Sequence, residues 1–424
     1  MSQTPHFKRN VIGGVIGNVL EWYDFSVFGY FAPSIAVQFF PSQDHLASLV
    51  GAFGAFAAGY LIRPLGGMFF GSIGDRLGRK RALQLSIALM ALPTIAVGAL
   101  PDYSQIGAAA PILLVLLRMV QGVSVGGELI SSISYATEIA TRNRRGLYGS
   151  LPMCAALAGV LLGSVVATIM YYTFSDAQRH TWAWRIPFLA GLVVAGFGIW
   201  MRSGLSEVPE FKKHLDAGDI DKKPVATALQ TQWRQIVHVS LLVMAMGCGF
   251  FMLFVWWPTY LMRFFPRPVP HAFAINTTSM VVLACLIPLM GLASDLWGRR
   301  IILALSTGGL AVFAYPLFVI TDHGALIQVL ACQLVFAVLV AGLEGAIAAT
   351  MVEMFPMKIR CSGIAIGYNF SIAIFGGVTP MVSTWLVKQS GHDLAAPAYY
   401  LMAVSLVSFV AALFVNTESR AEAI

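Results

Sequence analysis

GSIGDRLGRK, Gly71 to Lys80, returns 220 residues later as GLASDLWGRR, Gly291 to Arg300. Each copy carries Gly, then Asp four residues on, Gly three later, and two basic residues. A polar string that recurs at about half the chain length means two homologous halves. Its place between long apolar runs makes it a connection on one membrane face, so the pattern predicts an all-α membrane protein of two similar helix bundles.

The surrounding composition fits lipid. Of 424 residues, 58% are hydrophobic and 11% charged, with a mean hydropathy of +0.75; a soluble domain carries about 25% charged residues. The apolar residues gather in runs of ~20 or more, long enough to cross the hydrocarbon as helices. Twelve such spans are expected, at 11–36, 46–73, 83–100, 109–135, 146–170, 184–204, 236–264, 271–294, 300–320, 325–353, 360–388 and 396–416. Their length and lack of period-two alternation exclude a barrel. The first run holds Glu21 and Asp24 and is too long for a cleavable signal peptide.

The net charge of +7 is distributed by side, not gathered into a nucleic-acid surface. Of 27 Lys and Arg, 20 fall in the amino terminus, alternate loops and the carboxy tail. Five (Arg179, Arg185, Arg263, Arg267 and Lys388) fall opposite, and Arg63 and Arg118 lie inside spans. The excess of positive charge marks the cytoplasmic side, with both termini inside. The expected division is an N-terminal six-helix bundle over 1–204, a mixed-charge cytoplasmic linker over 205–235 expected to form an amphipathic helix, and a C-terminal bundle over 236–424. Five scattered cysteines form no CxxC or Cys/His cluster, so no metal site is expected.

The halves also repeat their acids. Glu138 precedes TRNRRG and Glu353 precedes FPMKIR, an offset of 215, while Glu128 and Glu344 lie further back in the same spans at an offset of 216.

Ionisable side chains inside a span are expensive and therefore candidate functional groups. In GNVLEWYDF, Glu21 and Asp24 are three apart and share a helix face. Helical rise puts Asp24 ~18 Å and Arg118 ~12 Å from the outer ends of their spans. If both spans face a central cavity, Asp24 and Arg118 can pair. A carboxylate beside Arg118 stays ionised and, moved away into low dielectric, takes up a proton; the same pair could instead lock two helices. Proton coupling is therefore assigned to Asp24, Arg118, Glu21 and Glu128, with Glu128 either a second proton station or part of an inner gate.

Candidate substrate contacts are Arg63, Arg118, Gln121, Tyr30, Trp256, Tyr368 and Asn369. A guanidinium suits a carboxylate, although Arg63 could also snorkel or pair with an acid such as Glu128. Aromatic faces suit a quaternary ammonium. The aromatic residues Phe250, Phe251, Phe254, Trp256, Trp257 and Tyr260, with Tyr23, Tyr30 and Tyr368, are expected to be, for at least half their number, lipid-facing or interfacial belts. Gly67 and Gly71 mark a close helix-contact surface.

In the repeated string, Asp75 and Asp295 sit where a carboxylate can cap a neighbouring helix amino terminus. Arg79 can tie Asp75 to Glu138, and Arg299 can tie Asp295 to Glu353, which makes these six residues a candidate gate. The order G-x-x-x-x-G-K-[ST] occurs nowhere, so no nucleotide loop is read and no cofactor is expected beyond a proton gradient.

The doubled string resembles the signature of the major facilitator superfamily. With GNVLEWYDF at Gly17, FFP at Phe39, RPLGG at Arg63, RMVQGVSVGGE at Arg118, WAWRIPF at Trp182 and EMFPMKIR at Glu353, the chain is similar to the metabolite:proton symporter family. That family includes bacterial proline/betaine, α-ketoglutarate, citrate and shikimate permeases. The resemblance implies a twelve-helix fold in two pseudo-symmetric bundles, a bacterial inner-membrane location and proton-coupled uptake of a zwitterion or small organic acid by alternating access. The partners implied are a small-molecule substrate, protons and the lipid bilayer, with no nucleic acid and a functional monomer. The alternatives are an exporter or exchanger of the same fold and a non-transporting membrane sensor. No enzyme site is expected, because no nucleophile–base or metal cluster stands in the spans.

Overall fold

The computed structural model describes residues 5–43, 45–265, 269, 271–322, 326–391 and 393–416. Arg267 and the middle of the connection after Thr321 lie outside them. The described residues are helical almost throughout and include no strand. This follows from the solvent: in hydrocarbon each backbone amide must find its partner within the segment.

The first half runs α1 (Pro5–Tyr30), α2 (Ala32–Phe39), α3 (His45–Leu61), α4 (Arg63–Leu77), α5 (Arg79–Ala99), α6 (Tyr103–Ile106), α7 (Ala109–Glu138), α8 (Arg145–Thr173), α9 (Asp176–Gln178) and α10 (Arg185–Ser203). Two short helices, α11 (Pro209–Asp216) and α12 (Pro224–Thr231), stand where one linker helix was expected. The second half runs α13 (Trp233–Phe250), α14 (Trp257–Arg263), α15 (Ala272–Trp297), α16 (Arg299–Asp322), α17 (Leu326–Met354), α18 (Arg360–Ser371), α19 (Thr379–Gln389) and α20 (Ala396–Leu413).

Among the described residues, nine helical stretches are long and apolar enough to cross a membrane. The other three expected spans are helical too. They are α1, which carries Glu21 and Asp24; the pair α3 and α4, broken at Ile62 before Pro64; and α10.

The chain divides into two compact units, Met1–Ala136 with Ala155–Val225, and Thr137–Cys154 with Ala226–Ile424. The division at 225/226 falls inside the expected linker. In the first unit a core of Phe28, Ile35, Phe39, Trp184 and Phe188 ties α1 and α2 to α10, with the Phe39 and Trp184 rings 5.8 Å apart, edge to face. In the second, Gly345 brings α17 against α15, since an added Cβ there would stand 2.7 Å from Gly291 N and Ile287 O.

The repeated string takes one shape in both units. It is a one-residue turn between two helices, made by Gly78 at φ +103° and Gly298 at φ +95°. Only glycine adopts this backbone without strain. The string is therefore less a loop than a helical corner that carries Asp75 and Asp295 in the last turn before it.

Candidate substrate and proton site

Three of the buried ion pairs described in the first unit involve acids inside the expected spans. Asp24 from the middle of α1 meets Arg118 from α7: Arg118 Nη1 donates to Asp24 Oδ2 at 2.8 Å. Gln121, one turn along α7 from Arg118, donates to the same oxygen at 3.0 Å and to Thr94 Oγ1 at 2.9 Å, while its own oxygen accepts from Arg118 at 2.8 Å. The guanidinium lies over the rings of Phe28 and Phe25, 4.1 and 4.7 Å from their centroids. Aromatic faces thus offset part of the cost of burying it. Asp24 Oδ1, Arg118 Nε and Arg118 Nη2 are buried without a hydrogen-bond partner. The pair is fixed by one oxygen and one nitrogen and keeps its other valences for something else.

Arg63 faces Glu21 at 3.9 Å, an ion pair too long for a hydrogen bond. Both Glu21 oxygens and Arg63 Nε and Nη2 are buried without hydrogen-bond partners, and the Tyr60 ring lies 5.1 Å from the guanidinium carbon. This couple offers a cation and an anion side by side, each with bonding capacity left over.

Glu128 is different. Arg202 grips both its oxygens, and Ser86 donates to one of them. Arg202 also donates to the carbonyls of Gly13 and Leu83. Glu128 is thus the most saturated carboxylate of the three, and Arg63 has Glu21 opposite it, not Glu128. Arg202 escaped sequence reasoning because it stands at the end of α10, where it was counted with the loop charges; in the fold it is 0% exposed. Glu207, read as a linker charge, accepts from Lys80 N at 3.2 Å at the start of α5.

The second unit holds the remaining candidates. Trp256 is buried, donates to Thr384 Oγ1 at 2.9 Å and stacks on Tyr260 at 4.9 Å. Tyr368 and Asn369 are buried on α18, where the Asn369 amide donates to Ala365 O at 2.9 Å. Tyr30 is 44% exposed at the end of α1. The aromatic belt expected between Phe250 and Tyr260 does not form. Phe251, Phe254, Trp256, Trp257 and Tyr260 are all buried, because Phe318 and Phe336 fill the space against the last two.

Between α13 and α14 the backbone widens into a π-helical turn, Phe251–Trp256. The carbonyls of Leu253 and Phe254 accept from the side-chain amides of Gln333 and Asn276, each at 3.0 Å, and Gln333 donates to Asn276 at 2.6 Å. Such turns are frequent at functional sites. Asn276 and Gln333 were missed, although the rule that selected Asn369, a polar group inside a span, applies equally to them.

Four of the six gate candidates, Glu138, Asp295, Arg299 and Glu353, lie in the second unit, which includes the segment 137–154. Asp295 accepts from Gly146 N at 2.7 Å and Leu147 N at 2.9 Å, capping the first turn of α8. Arg299 pairs with Asp295 at 2.7 Å and with Glu353 at 3.2 Å. Glu138 pairs with Arg360 at 2.8 Å, a partner outside the expected set. In the first unit Arg79 pairs with Asp75 at 3.4 Å and lies 4.9 Å over the Phe211 ring.

Comparison with known proteins places this geometry in context. Residues 11–219 match the family described as "Sugar (and other) transporter", and residues 270–424 match "Major Facilitator Superfamily". The chain is 34% identical to the proline/betaine transporter of Escherichia coli strain K12, over 95% of this chain and 82% of that protein. It is 32% identical to the glycine betaine/proline/ectoine/pipecolic acid transporter OusA of Dickeya dadantii, over 96% of this chain and 83% of that one. Among solved structures, the proton:xylose symporter XylE matches with a TM-score of 0.80 at 17% identity, covering 97% of this chain and 95% of that one. It shares the fold.

Proposed function

The chain belongs to the major facilitator superfamily, and from that premise we propose that it is a proton-coupled symporter in a bacterial inner membrane, importing a small zwitterion such as proline or betaine by alternating access. The observation that carries the reading is the Asp24–Arg118 pair with its open valences. While Arg118 stays close, Asp24 is ionised; when a rearrangement separates them, the carboxylate takes a proton, so proton uptake follows conformation. Glu21 and Arg63 supply the two charges a zwitterion needs. Arg63 offers free N–H groups to a carboxylate, and Glu21 offers two free oxygens to an ammonium group or, by charge alone, to a quaternary one. The relatives named for proline and betaine support the zwitterion over a small organic acid. The basic face, with the repeated strings, is assigned to the cytoplasm.

Purified protein in liposomes tests this. An acid-outside pH gradient is expected to drive accumulation of labelled proline. Asp24→Asn is expected to lower accumulation by about tenfold per unit of pH gradient while preserving exchange of labelled for unlabelled proline. Full gradient-driven accumulation by that variant would overturn the assignment of Asp24.

A further inference from the structure

Glu344 stands apart from every carboxylate described so far. It lies in the middle of α17, 7% exposed, between Leu343 at 1% and Gly345, with Ala341, Ala346 and Ile347 at 0%. Among the described residues it makes no hydrogen bond and no ion pair. It is the repeat counterpart of Glu128, and the repeat carries Ser86 to Ser306 by the 220-residue offset of the strings. Among the described residues the repeat offers no counterpart of Arg202: α20, which follows the second half's other helices as α10 follows those of the first, contains no Lys, Arg or His. The same register therefore holds a neutralised acid in one unit and a bare acid in the other.

Among the described residues no basic group pairs with it; on α8, whose Gly149 lies against Ala348 and Ala349, Arg145 stands a turn before that contact and makes no ion pair with Glu344. Of the helices packed on α17, α15 carries no basic residue. On α16, Arg299 is held by Asp295 and Glu353, and Arg300 is exposed. On α18, Arg360 is held by Glu138. On α13, His238 meets Ala411 O at 2.8 Å, and Arg234 is exposed and lies against Trp233. The other titratable groups on these helices are acids, thiols and phenols: Asp295, Asp322, Cys248, Cys285, Cys361, Tyr315 and Tyr368. None brings a positive charge to a carboxylate. On α17 itself, Glu353 is ion-paired nine residues away.

We propose that Glu344 is a second proton carrier, loading and releasing a proton in the second unit independently of Asp24. A bare carboxylate surrounded by Ala, Gly and Leu is too costly to stay ionised in a span and is held as the acid. On this proposal its access to water lies at the 7% of it that is left exposed. In one state an O–H bond forms with a proton from the outer water. In the other that bond breaks and the proton leaves to the inner water, leaving a transient carboxylate that the next proton neutralises. The gradient supplies the driving force, and no other co-reactant is needed. Glu128 then serves as a static lock, because Arg202 already neutralises it.

This rests on the symport reading, and the test separates the two. Wild type, Asp24→Asn, Glu344→Gln and Glu344→Ala are reconstituted with labelled proline, with the membrane potential clamped at zero. Two carriers predict accumulation of about 100-fold across a one-unit pH gradient, against about tenfold for a single carrier, since each proton contributes one factor of ten. Glu344→Gln is expected to accumulate about tenfold, with proline affinity and proline exchange unchanged, and Glu344→Ala is expected to behave in the same way. Equal accumulation ratios for wild type and Glu344→Gln overturn the proposal. So does a Glu344→Gln protein that keeps the wild-type proton ratio but loses proline affinity, which would make Glu344 a contact for the substrate cation. If wild type itself accumulates nothing, the symport reading fails instead.

Discussion

At a buried ion pair the outcome depends on whether every polar atom finds a partner, because desolvation costs each charge several kcal/mol. Glu128 and Arg202 meet that condition with help from Ser86, Gly13 and Leu83, whereas Asp24 with Arg118 and Glu21 with Arg63 leave atoms open. On the proposed reading the first is a fastener and the other two are sites. Arg202→Met is therefore expected to destabilise the protein by about 3–5 kcal/mol by stranding Glu128, and the double variant with Glu128→Met to regain most of that loss. Thermal unfolding in detergent reads both. A double variant no more stable than the single one would show that Arg202 acts through its carbonyl contacts and not through the acid. Sequence reasoning selected Asp24, Arg118, Glu21 and Arg63 because charge within a span is conspicuous. It passed over Arg202 because a helix end can equally well lie in water.

At the scale of an element, the two corners at Gly78 and Gly298 separate backbone strain from crowding. Both glycines sit at φ near +100°, where a side chain costs about 1–3 kcal/mol. A Cβ on Gly298 would meet nothing within 4 Å, whereas one on Gly78 would stand 2.1 Å from Glu207 Oε2. Gly298→Ala should then lose about 1–3 kcal/mol, and Gly78→Ala more, because it also displaces the side chain that caps α5. Equal melting temperatures for the two variants would contradict this. The π-helical turn at Phe251–Trp256 is the opposite kind of element: no glycine or proline lies within it. It depends on amides from α15 and α17 to receive its displaced carbonyls, so it exists only once those helices have packed.

Across the whole molecule the two units hold different charged groups. The open ion pairs belong to the first, and the capped Asp295–Arg299–Glu353 cluster belongs to the second with the segment 137–154. A change in the cluster should therefore alter transport while leaving recognition intact. Asp295→Asn removes the charge that faces Gly146 N and Arg299. On the proposed reading, proline uptake is expected to fall by about tenfold, the effect of about 1.4 kcal/mol on the rate of switching, while proline is expected to raise the melting temperature of variant and wild type alike. Loss of that thermal shift would place Asp295 in substrate binding. The sequence by itself determined the all-helical membrane fold, the two halves and the charges worth attention. These follow from hydrophobicity and periodicity, which act residue by residue along the chain. Only the tertiary structure decided that Glu128 is neutralised by Arg202, that Glu21 faces Arg63 across 3.9 Å, and that Glu344 has no partner among the described residues. Whether a charge is paired depends on which helices meet, and that is set by packing between residues up to more than a hundred positions apart.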